Sequence, residues 1–206
     1  MRAFFPFNKT LTLACTVAAV VMFTGCSDDE TTQPSQAKTY EGPTKTIGTA
    51  TAKSWYKIDD NGNPSSVGVT FSESLLAAMP DTAISLELAL PAEASTTPYD
   101  HISLDWNPQG HPPMDIYTLP HFDLHFYTIT KAERATITPE GGDPTPVAAQ
   151  YIPVDYAAMG IPGMPPEVVP GMGAHWVDTT ANELHGHAFN HTFIYGFYKG
   201  NLVFQE

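Results

Sequence analysis

Nineteen prolines and 15 glycines interrupt this 206-residue chain. They exclude a mainly helical bundle, because both residues are poorly tolerated inside helices, and they favour short strands joined by long loops. Hydrophobic residues make up 42% of the chain and charged residues 15%, which is typical of a packed domain and not of a disordered chain.

Apolar residues recur at every second position in several segments, which is the pattern of half-buried strands. These segments are residues 67–71, 84–90, 102–106, 122–126, 192–198 and 202–206. The last two flank Lys199-Gly200-Asn201, which predicts a hairpin with a three-residue loop. Short helices are predicted for residues 72–79 and 130–135. The fold class is therefore mainly β, an antiparallel barrel or sandwich with one or two short helices.

Residues 139–173 are rich in proline and glycine throughout, and they predict a long irregular loop. Structureless loops of this length are uncommon in compact domains and are often functional.

The N-terminus has the pattern of a signal peptide, residues 1–25. Arg2 and Lys9 precede an apolar run, Leu11 to Phe23, which is shorter than the about 20 residues that span a bilayer. The string Phe23-Thr24-Gly25-Cys26 resembles the bacterial lipoprotein signal, which implies that Cys26 becomes the lipidated N-terminus. The expected location is the cell envelope, on the outer side of the cytoplasmic membrane or on the outer membrane, and Ser27 favours the latter.

Cleavage before Cys26 changes the charge and the cysteine content of the chain. The formal net charge of −13 becomes −15, because Arg2 and Lys9 are lost. So acidic a chain is unsuited to binding nucleic acid, which requires a basic face. The signal also takes Cys15, so no disulfide can form within the mature chain. Residues 26–45 are polar and acidic and predict a flexible tether, followed by one β domain at residues 46–206.

The segment His121-Phe122-Asp123-Leu124-His125 places two imidazoles and a carboxylate on one face of a strand. Neighbouring side chains on that face lie about 6.6 Å apart and can converge on one ion, whereas His121 and His125 lie about 13 Å apart unless the strand bends. We predict a site for a divalent metal ion, zinc or another first-row metal, at His121, Asp123, His125 and His175. An exposed polar face without an ion is the alternative.

His175 follows the turn Pro170-Gly171-Met172-Gly173, which can aim a side chain inward. The same turn can equally serve only to precede a strand anchored by Trp176. His111 and Glu206 are possible additional ligands. His101 shares a strand face with Ser103 and Asp105, and we expect it to be solvated.

Several strings resemble an uncharacterised bacterial family of exported proteins and lipoproteins. The resemblance covers roughly residues 65–206 and is carried by His111-Pro112, Pro120 with HFDLHFY, VPGMGAHW and IYGFYKGNLVFQE. That family is a domain of unknown function and implies no activity. A weaker resemblance is to cupins, small metal-holding β-barrels whose second motif places a histidine after a Pro/Gly turn, as in His175.

Three functions remain open from the sequence. The first is a lipid-anchored envelope domain with a His/Asp metal site, acting as an enzyme or as a metal sensor. The second is a non-catalytic binding or assembly module with a purely structural histidine cluster. The third is a barrel that binds a small molecule between walls of Tyr117, Tyr127, Trp176 and Tyr195. The oligomeric state is open as well, a homo-oligomer included.

Overall fold

The computed structural model describes residues 36–77, 79–140, 142–161 and 163–206. The predicted signal peptide, residues 1–25, and Cys26 lie outside these residues. The described part forms two antiparallel sheets and two short α-helices. No helix within it has the length and apolar character needed to cross a membrane.

The smaller sheet is built around one long strand, β3. Its members are β1 (Lys38–Glu41), β2 (Lys45–Ile47), β3 (Ala50–Ile58) and β4 (Pro64–Phe71). Each of the other strands pairs with β3 in antiparallel fashion.

The larger sheet has seven antiparallel strands in the order β5-β6-β7-β11-β10-β9-β8. They are β5 (Ile84–Ala89), β6 (His101–Asn107), β7 (His121–Tyr127), β8 (Tyr156–Ala158), β9 (Ala174–Asp178), β10 (Ile194–Tyr198) and β11 (Asn201–Gln205). As the third of seven strands, β7 places the histidine-containing segment in the interior of the larger sheet and not at its edge.

The mainly β prediction is confirmed, and of its two forms the open sandwich is correct. Neither sheet closes into a barrel within the described residues, so the cupin-like barrel form is wrong. The short helices are α1 (Glu73–Ala77) and α2 (Lys131–Arg134), within the two predicted segments. The last hairpin is tighter than expected, because Asn201 pairs with Tyr198 and leaves a two-residue loop.

The smaller sheet covers one face of β5, β6 and β7. The alternate apolar residues of those strands, such as Leu88, Ile102 and Leu104, form a buried cluster with Ala50 and Ala52 of β3. This burial explains the apolar alternation seen in the sequence, because these side chains face the sandwich interior.

The opposite face of the larger sheet is covered by the Pro/Gly-rich segment. Val168 from this segment and Ile137 just before it pack into a second buried cluster with Tyr127, Val177 and Phe204. The segment is therefore not entirely irregular. It contributes the short strand β8 and one turn of 3₁₀-helix at Ala149–Tyr151.

His101 is buried, contrary to the expectation that it is solvated. Its side chain is only 1% exposed, and its ring stacks on Tyr127 with a centroid distance of 4.8 Å. The reason is that β6 lies between two paired strands and has both faces covered, so the polar side of its alternation is interior as well.

The predicted tether, residues 26–45, extends too far along the chain, because strands of the smaller sheet begin before residue 45. Lys38–Glu41 forms β1 and pairs with Trp55–Ile58 of β3, and β2 begins at Lys45. An edge strand is held by backbone hydrogen bonds that do not depend on side-chain polarity. The ring of Tyr40 adds a stack on Tyr56 at 6.1 Å.

Candidate metal centre

A row of polar side chains lies on the face of the larger sheet that is covered by the Pro/Gly-rich segment. The register of β6 and β7 pairs residues from two polar stretches: Asn107 with His121, Asp105 with Asp123, and Ser103 with His125. The prediction that His121, Asp123 and His125 share a face agrees with this register. The intervening Phe122, Leu124 and Phe126 pack toward the smaller sheet.

His111, His121 and Asp123 form a group that could hold a metal ion. One ligand atom from each residue lies within 4.8 Å of the others. The Nε2 atom of His111 lies 3.3 Å from Asp123 Oδ2, and the Nε2 atom of His121 lies 3.2 Å from Asp123 Oδ1. Two ligands of a tetrahedral zinc ion, with bonds of about 2.0–2.1 Å, are about 3.3 Å apart. The two nitrogen–oxygen distances, each to a different oxygen of Asp123, are therefore close to those between neighbouring ligands of one ion.

The tautomers of both imidazoles follow from their backbone contacts. The Nδ1 atom of His111 lies 2.7 Å from the carbonyl oxygen of Pro112, and that of His121 lies 2.6 Å from the carbonyl oxygen of Leu119. A carbonyl oxygen only accepts, so each Nδ1 must donate a proton. In each neutral ring this leaves the Nε2 lone pair directed at the Asp123 carboxylate. Two lone pairs facing an anion are stabilised only by a cation between them, either a metal ion or a proton on each ring.

The Asp123 carboxylate is held in place by a neighbour on β6. The Asn107 side-chain amide donates to Asp123 Oδ2 at 2.6 Å, which is the kind of support that orients a metal ligand. Burial alone would raise the pKa of Asp123, but the hydrogen bond from His111 and the surrounding imidazoles lower it. The same hydrogen bond raises the pKa of His111 despite the opposing effect of burial. The carboxylate is therefore ionised and available to a cation.

His111 reaches the group from the loop between β6 and β7. Its backbone N–H donates to the carbonyl oxygen of Tyr117 at 2.9 Å, and its ring lies 4.9 Å from that of His121. Phe189 packs edge-on against both Tyr117 and His121, each at 5.0 Å. The loop is thus closed over the end of the strand pair, and the histidine is fixed above Asp123.

His125 does not join this group, although the sequence predicts it as a ligand. Its Nδ1 lies 3.0 Å from Asp105 Oδ2 and its Nε2 lies 3.4 Å from Glu206 Oε2. Burial would lower the pKa of His125, but the hydrogen bonds to Asp105 and Glu206 outweigh it and raise the pKa to about 9. His125 is therefore an imidazolium held between two carboxylates, with both nitrogens occupied.

His175 also lies outside the group of three. Its ring packs edge-on against Phe204 at 5.4 Å, and its Nε2 is buried with no hydrogen-bond partner among the described residues. Burial lowers the pKa of His175 to about 4, with further lowering by His125 and His111. His175 is therefore a neutral imidazole. It lines a cavity that is also lined by His111 and Asp123, two members of the group of three, which is called the metal group below.

The structure thus brings together two of the four predicted ligands, His121 and Asp123. His111, predicted only as a possible additional ligand, takes the place of His125 and His175. Glu206 lies beside His125 and not in the group. The regular strand β7 explains the difference, because without a bend it keeps His121 and His125 too far apart for one ion.

The turn before His175 depends on Gly173. Its φ is +81°, and a Cβ atom there would overlap the carbonyl oxygen of Phe197 on the neighbouring strand. We expect Gly173→Ala to lower the free energy of unfolding by about 2–3 kcal/mol, from backbone strain and overpacking together. Urea denaturation followed by tryptophan fluorescence measures this change.

Gly163 provides the matched control for this substitution. Its φ is +84°, but apart from its chain neighbours no described residue lies within 4 Å of a Cβ built there. Gly163→Ala should therefore cost only the backbone strain, about 1 kcal/mol. Equal losses in the two variants would show that the contact with Phe197 is unimportant.

A cavity of about 780 Å³ opens beside the metal group. The polar residues that line it include Asp105, His111, Asp123, His125, His175 and Glu206. Of the four aromatic residues predicted as ligand-binding walls, Tyr117 lines it. The volume lies within the range of about 300–1,000 Å³ that is typical of small-molecule sites.

The sequence contains a signal that places His111 close to His121. The loop joining two antiparallel strands must begin and end at the same edge of the sheet. A histidine four residues after Asn107 therefore returns close to His121, which pairs with Asn107. The ion pair of His125 with Asp105 could be anticipated only from the register, which the alternation pattern does not specify.

Comparison with known proteins adds little to this geometry. A family described as TTHB210-like, hypothetical protein TTHB210, matches residues 59–106. The matched segment ends before His111, His121 and Asp123, so it carries no information on the metal group. No curated protein and no solved structure matches the chain. The resemblance of residues 65–206 to an uncharacterised bacterial family stays a prediction.

Proposed function

We propose that this protein is a lipid-anchored protein of the bacterial cell envelope whose β domain binds a divalent first-row metal ion through His111, His121 and Asp123. The observation that carries the proposal is the pair of imidazoles whose Nδ1 atoms donate to backbone carbonyls and whose Nε2 atoms face one carboxylate. This is the arrangement of metal-ligating histidines, whose second nitrogen is fixed by a backbone acceptor.

Zinc is the first candidate for the ion. Two imidazole nitrogens and one carboxylate oxygen form a donor set that suits zinc and other first-row metals better than magnesium or calcium, which prefer oxygen ligands. Three protein ligands leave a coordination position open, as in catalytic zinc sites and not in structural ones. A water bound there would have a lowered pKa and could act as a nucleophile. The arrangement therefore supports hydrolytic chemistry or metal sensing.

Metal binding can be tested by calorimetric titration of zinc into chelator-treated, untagged protein. We expect one zinc ion per chain. His111→Ala should weaken binding by at least about 100-fold, because loss of a ligand's hydrogen-bonding partner alone costs roughly 10–100-fold. His111 is half-buried in a loop, so its removal leaves both cores intact.

His187→Ala is the matched control for this titration. His187 is exposed and lies outside the group of three, so its removal should leave the zinc affinity unchanged. Equal affinities for wild type and His111→Ala would contradict the proposed site.

The lipid anchor is supported by the sequence alone, through the apolar run and the string Thr24-Gly25-Cys26. We expect Cys26→Ser to release the protein from membranes or to leave its signal uncleaved, since no residue could then carry the acyl chains that hold it. Fractionation of cells into membrane and soluble parts, with the apparent mass of the protein, measures both results. A variant that matures and fractionates like wild type would exclude lipidation at Cys26.

A second candidate function is the binding of a small molecule without catalysis. The cavity of about 780 Å³ beside the metal group favours it. The two functions are compatible, because His111 and Asp123 both belong to the group of three and both line the cavity.

A further inference from the structure

We propose that the cavity takes an uncharged, largely apolar small molecule whose neutral donor atom occupies the open position of the metal ion. This inference rests on the proposed metal site and adds the class of ligand that the site accepts. Three features of the cavity support it: the metal group in its wall, its apolar surface and its acidic residues.

His111 and Asp123 line the cavity, whereas His121 does not and instead lies against Phe189. An ion held by all three ligands would therefore sit in the wall of the cavity. A molecule inside the cavity can then reach the ion from the side that the protein leaves free.

The surface of the cavity is mainly apolar. Most of its lining consists of side chains without charge, among them Trp106, Tyr117, Pro139, Met159, Val168 and Ile194. A ligand that covers such surface gains the free energy of removing its own apolar atoms from water. The ligand must therefore carry an apolar body in addition to its donor atom.

Four carboxylate residues line the cavity, namely Asp105, Asp123, Glu167 and Glu206. One divalent ion does not offset four acidic residues, so the formal charge of the lining, with histidines counted as neutral, stays negative. An anionic group on the body of the ligand would be repelled by these carboxylates, and a protonated donor has no lone pair to offer the ion. A neutral donor on an apolar body fits both constraints.

The test uses cobalt(II) in place of zinc, because the visible absorption of cobalt reports changes in its coordination. Three probes share one donor: imidazole, 4-phenylimidazole and imidazole-4-acetate. We expect 4-phenylimidazole to change the spectrum at a concentration at least about tenfold lower than imidazole, owing to burial of the phenyl ring. Imidazole-4-acetate should bind more weakly than imidazole.

A variant in the cavity wall separates this inference from binding outside the cavity. Ala83 is exposed and lines the cavity, so Ala83→Trp fills space there without disturbing either core. It should keep the cobalt spectrum and the imidazole response and lose the preference for 4-phenylimidazole. Ala148→Trp, at another exposed alanine that does not line the cavity, should retain that preference.

The outcomes distinguish the two proposals. Absence of any cobalt spectrum would overturn the metal site, and this inference with it. A cobalt spectrum that responds to none of the probes, or equally to imidazole and 4-phenylimidazole, would overturn this inference alone. So would binding of imidazole-4-acetate as tight as that of 4-phenylimidazole, or a preference that persists in Ala83→Trp.

Discussion

Removing the bound metal should lower the melting temperature of the purified protein by about 10 °C, and zinc should restore it. An ion that binds only the folded state at about 1,000 times its dissociation constant stabilises that state by about 4 kcal/mol. In a domain of this size, 1 kcal/mol shifts the melting temperature by roughly 2–4 °C. Differential scanning calorimetry with and without a chelator measures the effect.

Asp123→Asn should abolish this response to zinc. The substitution removes the only anionic ligand of the group and keeps an oxygen that can accept from Asn107. His187→Ala should respond as wild type does. A wild-type melting temperature that is unchanged after complete removal of the metal would contradict the stabilisation.

His125→Leu should lower the free energy of unfolding by about 3–5 kcal/mol, the cost of removing one partner from a buried ion pair. His125 is 2% exposed and lies between Asp105 and Glu206. Leucine has a similar volume but leaves both carboxylates without their shared cation. Urea denaturation monitored by circular dichroism measures the loss.

Removing the carboxylate of Asp105 together with the imidazole of His125 tests the cause of that loss. In the double variant His125→Leu with Asp105→Asn, one of the two carboxylates beside His125 is gone, so the total loss should be smaller than the sum of the two single losses. Strictly additive losses would show that His125 and Asp105 do not interact. A loss of less than about 1 kcal/mol in His125→Leu would show that its charge is not required.

The strands were largely predictable because their pattern is local. Apolar residues at alternate positions in Ile84–Ala89, His101–Asn107 and His121–Tyr127 mark the face that meets the smaller sheet. Whether such strands close into a barrel depends on their tilt and stagger. These are properties of the whole sheet, so alternation could not distinguish the barrel from the sandwich.

The errors at the polar positions have a similar origin. Alternation shows which side chains share a face, but not what covers that face. His101 was expected to be solvated and is buried, because the segment that covers this face comes from residues distant in the chain. Residues 38–45 were expected to form a tether, because strand formation at a sheet edge leaves little trace in side-chain polarity.

The residues of the candidate metal group illustrate both cases. The placement of His121 and Asp123 on one face follows from strand periodicity, and both belong to the group that could hold an ion. The position of the third residue, His111, depends on the path of the loop between β6 and β7. The pairing of His125 with Asp105 and Glu206 depends on the register and order of three strands, so the sequence could not exclude His125 as a ligand.

The metal site is tested most directly by anomalous diffraction from crystals of the protein soaked in zinc, recorded above and below the zinc absorption edge. We predict one strong anomalous peak about 2 Å from the Nε2 atoms of His111 and His121 and from a carboxylate oxygen of Asp123. A peak between His125 and His175 instead, or no peak near Asp123, would contradict the proposed metal centre.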